Sequence, residues 1–288
     1  MSVACRNVPA LGDVGIGWRR EIAGVIGDLR PGFCEVIAES VPVRRGRARP
    51  HSALTELARA GVPVVPHGVA LSLGGAEPVQ RKRIQHLAAC AEALNAPVVS
   101  EHIAFVRAGG IEAGHLLPVP RTREALDALA ANIERTRHEL PVPLAVENIA
   151  AFVEWPESDL TESEFLCELV ERTGVLLVLD VANVYANARN RGRDPQRELA
   201  RLPVAQVAYS HVAGGHDDGD FYHDTHTART PQEVLDLVTA LRQRVDTPFM
   251  LERDGRYPPA AELFDELDAI AAASGTASIT ASAREVWV

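Results

Sequence analysis

Residues 174–183 read GVLLVLDVAN. Five apolar residues, 175–179, follow one another without a polar break, and the run then closes on Asp180. A strand with one face in water alternates apolar and polar residues. An unbroken run is buried on both faces, which points to a parallel sheet covered by helices. Seven further runs share this character: DVGIGW (13–18), FCEVIAE (33–39), VPVVPHG (62–68), APVVSEHI (96–103), PLAVENI (143–149), VAQVAYSHVAG (204–214) and PFMLERD (248–254).

Between most of the runs lie segments of helical spacing. Residues 122–138 place Ala125, Leu126, Leu129, Ala130 and Ile133 on one face. Thr161-x-x-Glu164 forms a capping box opening a helix through Val170, and Gly174 is its stop. Thr230-Pro231-x-Glu233 repeats that logic, with Pro at the first helical position. Eight strands alternating with helices predict an α/β fold of the (β/α)8 TIM-barrel type. We expect one domain over 1–288, with its core at about 13–274 and a short tail at 275–288. Residues 104–121 and 184–203 read as long polar loops. The glycines of Gly12-x-x-Gly15-x-Gly17 read as a loop entering the first strand, and Leu71-Ser72-Leu73-Gly74-Gly75 as a turn or an anion-binding loop.

Composition narrows the function. The chain has 288 residues, 47% hydrophobic and 24% charged, enough for one large core. Its 29 basic and 39 acidic residues leave a net charge of −10, which argues against a nucleic-acid surface. No apolar run approaches the ~20 residues of a membrane span. The N-terminus lacks the apolar core of a secretion signal, so a cytoplasmic location is expected. Cys5, Cys34, Cys90 and Cys167 are far apart, which disfavours a disulfide framework or an all-thiolate zinc site. GxSxG and GxxxxGK[ST] motifs are absent.

Barrel enzymes carry their chemistry at the C-terminal ends of the strands. The third run ends in His67, the fourth in Glu101-His102, the fifth in Glu147-Asn148 and the sixth in Asp180, with Asn183 three residues on. The seventh ends in His211, followed by Asp224-x-His226, and the eighth in Glu252, with Asp254 beyond. One such residue is a common structural feature. Many carboxylates at one mouth repel unless cations or protons neutralise them, and imidazoles interleaved with carboxylates are ligands for zinc, iron or manganese. A multinuclear metal site follows, because these ligands exceed the needs of one ion. Glu101, Asn148 and Asp254 read as partners that orient ligands.

The order of these residues resembles the metal constellation of the xylose-isomerase-like barrels, endonuclease IV in particular, except that Asn183 stands where the nuclease has His. The local words HGVALSLG (67–74), SEHIAF (100–105), HLLPVP (115–120), VENIA (146–150), LDVANVY (179–185), SHVAGG (210–215), DTH (224–226) and LERD (251–254) resemble the multinuclear non-heme iron-dependent oxidative enzymes more closely. These include the methanobactin-type oxazolone synthase and the thiaglutamate-pathway enzyme. Gly15-x-Gly17-x-Arg19 and Phe33-x-Glu35-Val36 fit that family's opening, and Asn183 matches it. Ser40 departs from it, as does Arg253, and the roles of Glu39 and Arg253 stay open. By analogy with the nuclease, His67, His102 and Glu147 would hold one ion. Glu147, Asp180, His211 and Glu252 would hold a second, and Asn183, Asp224 and His226 a third.

The resemblance implies two or three iron ions, mixed Fe2+ and Fe3+, with O2 as co-substrate and a cysteine of a ribosomally made precursor peptide as the target. It also implies a separate partner protein that binds the peptide's leader. Arg189, Arg191 and Arg193 are candidates for meeting an acidic leader, with a solvated loop as the plainer reading. His216 and His223 are candidates for an acid, a base or an extra ligand. Two alternatives share the rim. One is a trinuclear phosphodiesterase of the endonuclease IV kind. The other is a divalent-metal sugar isomerase or epimerase, which lacks a rim lysine here because the only one, Lys82, lies in a helical segment.

Overall fold

The computed structural model describes residues 10–287. Cys5 and the first nine residues of the N-terminal stretch read for a signal lie outside the described residues. All eight apolar runs are strands: β1 (Val14–Gly17), β2 (Phe33–Ile37), β3 (Val64–Gly68), β4 (Val99–His102), β5 (Leu144–Glu147), β6 (Leu176–Asp180), β7 (Val207–Val212) and β8 (Phe249–Leu251). They pair in sequence order, all parallel, and β8 closes on β1. This is a (β/α)8 barrel. Its outer layer contains α1 (Ala23–Leu29), α2 (Ser52–Arg59), α3 (Arg81–Leu94), α4 (Arg123–Glu139), α5 (Glu162–Thr173), α6 (Val181–Asn190), α7 (Pro195–Ala200), α8 (Gln232–Arg242) and α9 (Ala260–Ser274), followed by a short α10 (Ala281–Trp287). Among the described residues no helix is long and apolar enough to cross a membrane.

Local chemistry explains the helix ends. Thr161 and Glu164 form the expected capping box on α5, and Gly174 ends that helix at φ 58°, in the left-handed region glycine favours. The pattern at 230–233 works differently. Pro231 precedes α8 without a side-chain cap, and the Thr230 hydroxyl donates instead to Glu266 of α9. Glu266 also takes the buried guanidinium of Arg253 at 3.0 Å, so Arg253 ties the end of β8 to α9.

Both expected loops are ordered elements, as is the stretch that carries Asp224 and His226. Residues 104–121 contain an antiparallel hairpin, Ala104–Ala108 with Ile111–Pro118. Residues 184–203 are largely the rest of α6 and α7, because Asp180 caps α6 immediately after β6. Asp224 and His226 sit on a second hairpin, Gly214–Asp217 with Tyr222–Ala228. The turn after β3 is not an anion cradle: the Ala70 and Leu71 N–H groups donate to Glu101, and those of Gly74 and Gly75 to backbone carbonyls.

The barrel has two cores. One fills the space between strands and helices. The other lies inside the barrel and contains Phe33, Val65, Val98, Ala145, Val178, Tyr209 and Met250. Gly15 makes room for this layer: a Cβ there would stand 2.5 Å from the Phe33 ring. Side chains of a strand alternate between faces, so the residue two further along points inward again, one layer higher. Two residues beyond these apolar positions stand Glu35, His67, Ser100, Glu147, Asp180, His211 and Glu252. The sequence thus builds an apolar floor with a polar storey on it, at the pole where barrel sites form.

Candidate metal centre

Register sets the heights: His102 pairs with Glu147 across β4 and β5, and Asp180 with His211 across β6 and β7. Donor atoms of His67, His102 and Glu147 lie within 4.8 Å of one another, as do those of Glu147, Asp180, His211 and Glu252, so Glu147 belongs to both groups. A further group joins His226, Glu252 and Asp254.

Each of three imidazoles has one nitrogen anchored away from this centre. His102 Nδ1 donates to the Gly68 carbonyl at 3.1 Å, leaving Nε2 3.5 Å from Glu147 Oε2. His67 Nδ1 lies 2.8 Å from Ser100 Oγ, leaving Nε2 3.3 Å from both Glu147 Oε2 and His102 Nε2. His211 Nε2 faces Glu35 at 3.0 Å, leaving Nδ1 3.2 Å from both Glu147 and Glu252. Fixing one ring nitrogen fixes the tautomer and aims the lone pair of the other.

Glu35 lies at the root of this arrangement, and reading strand ends alone missed it. It stands in mid-strand, fully buried, taking the Tyr209 phenol at 2.5 Å. A carboxylate only accepts, so the single phenol proton goes to Glu35. Ser100 Oγ, 2.8 Å from the same phenol oxygen, then turns its own proton toward it and accepts from His67 Nδ1–H. A buried chain, His67–Ser100–Tyr209–Glu35–His211, therefore joins two of the candidate ligands beneath the centre. The two-residue alternation was the signal: Glu35 follows inward-facing Phe33, and Tyr209 precedes His211 by the same step.

The remaining polar residues hold the mouth. Asp180 Oδ1 caps α6 by accepting from the Asn183 N–H at 2.8 Å. Asn148 grips the Asp180 backbone through both atoms of its amide, and its carbonyl takes the Asn183 amide at 2.9 Å. Glu101 accepts from the N–H groups of Ala70, Leu71 and His102, bracing the loop after β3. Glu39 accepts from the Val69 N–H in the same loop. His226, held at φ 52°, meets Asp224 at 2.9 Å and Asp254 at 3.1 Å. Asp254 also pairs with Arg19, which reaches Glu252 at 3.4 Å.

Electrostatics show the same crowding. Burial alone would lower the His102 imidazolium, yet Glu147 and Glu101 push it up to about 9. Burial, then Asp224 and Glu147, push the Asp180 carboxyl up to about 8. Burial would raise Glu147, but His211 and His102 hold it below the usual carboxylate range. Both raised groups, His102 and Asp180, favour holding a proton amid these carboxylates.

The donor set fits metal ions on a geometric test. Glu147 Oε2, Asp180 Oδ2, Asn183 Oδ1 and Asp224 Oδ1 are buried and accept no hydrogen bond among the described residues. Native proteins rarely leave such atoms unpaired without a bound ion or water. Two imidazole nitrogens 3.3 Å apart likewise call for a proton or cation between them.

The outer candidates lie elsewhere. His216 and His223 face each other across the second hairpin, and His223 pairs with Asp218; neither joins a metal group among the described residues. Arg189 pairs with Asp217, Arg191 with Glu154, and Arg193 with Glu154 and Glu198, so each of them faces a carboxylate. Lys82 is exposed on α3. A cavity of about 930 Å³ opens over the centre, touching His102, Glu147, Asn183, Asp224 and His226, with walls that include Leu116, Ile149 and exposed Phe152.

The chain is 51% identical over 273 residues to a UPF0276 protein of Streptomyces avermitilis, covering 92% of this chain and 55% of the relative's length. It thus spans about half of that relative. Among solved structures, a D-allulose 3-epimerase from Methylomonas sp. superposes with TM-score 0.56 at 11% identity, covering 97% of this chain and 98% of that one. A xylose isomerase domain protein from Planctomyces limnophilus gives 0.54 at 14%, covering 96% and 99%. At these identities they establish the (β/α)8 barrel fold alone. The family model described as "RiPP precursor modification enzyme MbnB/TglH/ChrH" matches residues 13–274, from the first strand through α9 and so across every strand that supplies the centre. Matched over that span, the chain belongs to the MbnB/TglH/ChrH family of RiPP precursor modification enzymes.

Proposed function

We propose that the chain is a multinuclear iron-dependent oxidative enzyme that uses O2 to modify a cysteine of a precursor peptide. The observation that carries this reading is the convergence of three pre-aimed imidazole nitrogens with four buried oxygens that accept no hydrogen bond among the described residues. His67, His102 and Glu147 would hold one ion. Glu147, Asp180, His211 and Glu252 would hold a second, with Glu147 bridging. Asn183, Asp224 and His226 would hold a third, beside Glu252 and Asp254.

When bound, iron would supply a thiolate-binding Lewis acid and the electrons for O2 reduction. The chain's own residues do the rest. Glu35, Ser100 and Gly68 fix the ring orientations of the three histidines. Asn148 and the α6 cap hold Asp180 and Asn183 at the rim. Apolar walls around the 930 Å³ cavity exclude water from a peptide laid against them. We further propose that a separate protein binds the peptide's leader, and that the enzyme works in the cytoplasm.

The test is anaerobic loading with ferrous iron, then exposure of a Cys-containing precursor to O2 and mass spectrometry of the product, with and without the partner. An O2-dependent mass change located at cysteine is expected. A zinc-loaded protein that cleaves abasic DNA, or one that epimerises a ketose, with no change in the peptide, overturns the proposal.

A further inference from the structure

The hairpin between β2 and α2 carries a charge pattern that the centre does not use. Residues 44–49 read RRGRAR, four arginines in six residues of a chain with net charge −10. Val43–Arg44 pairs with Arg47–Ala48, and Arg45 and Gly46 form the turn at φ 53° and 73°. Both central residues have positive φ, the geometry of a tight type I′ turn, which fixes the arginines on a stiff two-stranded tip. Arg44, Arg45, Arg47 and Arg49 are exposed, and among the described residues none of their side chains makes an ion pair or hydrogen bond. This contrasts with Arg189, Arg191 and Arg193, all of which face carboxylates.

The hairpin follows the C-terminal end of β2 and so stands at the same pole as the metal centre. Beside it is a cavity of about 420 Å³ lined by Trp18, Arg19, Arg20, Pro42, Arg49 and His51, with Glu21 the only carboxylate in its wall among the described residues. Arg19 is shared: it lines this cavity and reaches Glu252 of the centre at 3.4 Å.

We propose that the 43–49 hairpin and the adjoining cavity bind an acidic segment of the substrate peptide, outside the part that reacts. Unpaired guanidinium groups on a stiff scaffold recognise carboxylates through paired N–H donors at low entropic cost. A nucleic acid is the disfavoured occupant, because the rest of the chain would repel a polyanion extending beyond the short hairpin. The inference rests on the peptide-modifying reading of the centre, but its binding step needs no metal.

The experiment is fluorescence anisotropy with a short fluorescein-labelled oligo-glutamate peptide and the full chain at physiological ionic strength, metal-free and iron-loaded. Arg44→Glu combined with Arg47→Glu should weaken binding by about tenfold or more, since charge-assisted hydrogen bonds are lost. The milder Arg44→Gln with Arg47→Gln should weaken it less, and Arg135→Glu, the same charge change per site on the exposed face of α4, should leave it unchanged. Circular dichroism and iron uptake should be unaltered in all three. Undetectable oligo-glutamate binding, or equal loss in Arg135→Glu, overturns the proposal. So does a duplex DNA that binds through the same arginines more tightly than the peptide, or self-association that the Arg44/Arg47 variant abolishes. Peptide binding that survives in a protein unable to oxidise cysteine would refute the proposed function and leave this site standing.

Discussion

Replacing Glu35 by Gln removes one negative charge from beneath the centre while keeping its volume. Glu35 takes His211 Nε2 at 3.0 Å and the Tyr209 phenol at 2.5 Å. Burial alone would raise its carboxyl, but His211 and His67 hold it below the usual carboxylate range, so it is charged at neutral pH. A glutamine oxygen can still accept both hydrogen bonds, but without the negative charge it draws the imidazole proton to Nε2 far less strongly. Losing one charge-assisted hydrogen bond costs about 1.5–3 kcal/mol. Losing a partner that orients a metal-bound histidine costs about 10–100-fold in metal affinity, or roughly 1.4–2.7 kcal/mol, and the two figures agree in scale. The assay is competitive titration of metal-stripped protein against a chromogenic chelator. Glu35→Gln should bind the ion at the His211 position about 10–100-fold more weakly, with an unchanged circular dichroism spectrum. Tyr209→Phe keeps the carboxylate beside His211 and should lose less. An affinity for Glu35→Gln equal to that of the parent would refute the claim that the buried chain aims His211.

Other consequences are as direct. Chelating the metal should lower the melting temperature by about 5 °C or more in differential scanning calorimetry, since ligand at a hundredfold excess over Kd adds about 2.7 kcal/mol. Asp180→Asn keeps the α6 cap but removes a buried carboxylate; the metal-free variant should melt higher than metal-free parent at neutral pH, yet gain less when metal is added. Gly15→Ala drives a methyl into the Phe33 ring and should destabilise the barrel by about 1–3 kcal/mol in urea unfolding. The C-terminal α10 should come loose in acid. Burial alone would raise the Asp268 carboxyl, but hydrogen bonds from Ser278, Arg284 and Thr280 hold it below its ordinary value. A depressed carboxyl adds stability above its unfolded pKa and loses it as pH falls through the folded one. Hydrogen exchange in α10 should therefore rise below about pH 4, and Asp268→Asn should show it at neutral pH.

The barrel was legible because each of its strands is a short, nearly unbroken apolar run, and burial on both faces leaves no other explanation for residues such as 175–179. The candidate ligands were legible for the same reason: a His, Asp or Glu closing such a run is conspicuous. Glu35 and Tyr209 were not, because they stand inside their runs, where only the alternation of faces shows that they point into the barrel. The hairpin at 104–118 reads as a loop in the sequence, since a two-stranded rim ribbon exposes polar residues on both faces and shows no apolar period. Arg189, Arg191 and Arg193 looked like a basic rim because their partners, Asp217 and Glu154, come from other parts of the chain. Arg44, Arg45, Arg47 and Arg49 show the converse, since lack of a partner is visible only in three dimensions.

The most direct measurement is anaerobic metal analysis of the purified chain combined with Mössbauer spectroscopy. At least two iron ions per chain are expected, with both ferrous and ferric signals, and the count should fall in Glu147→Ala, which removes the carboxylate common to two of the groups. Zinc as the sole metal, or an iron count unaffected by Glu147→Ala, would contradict the account.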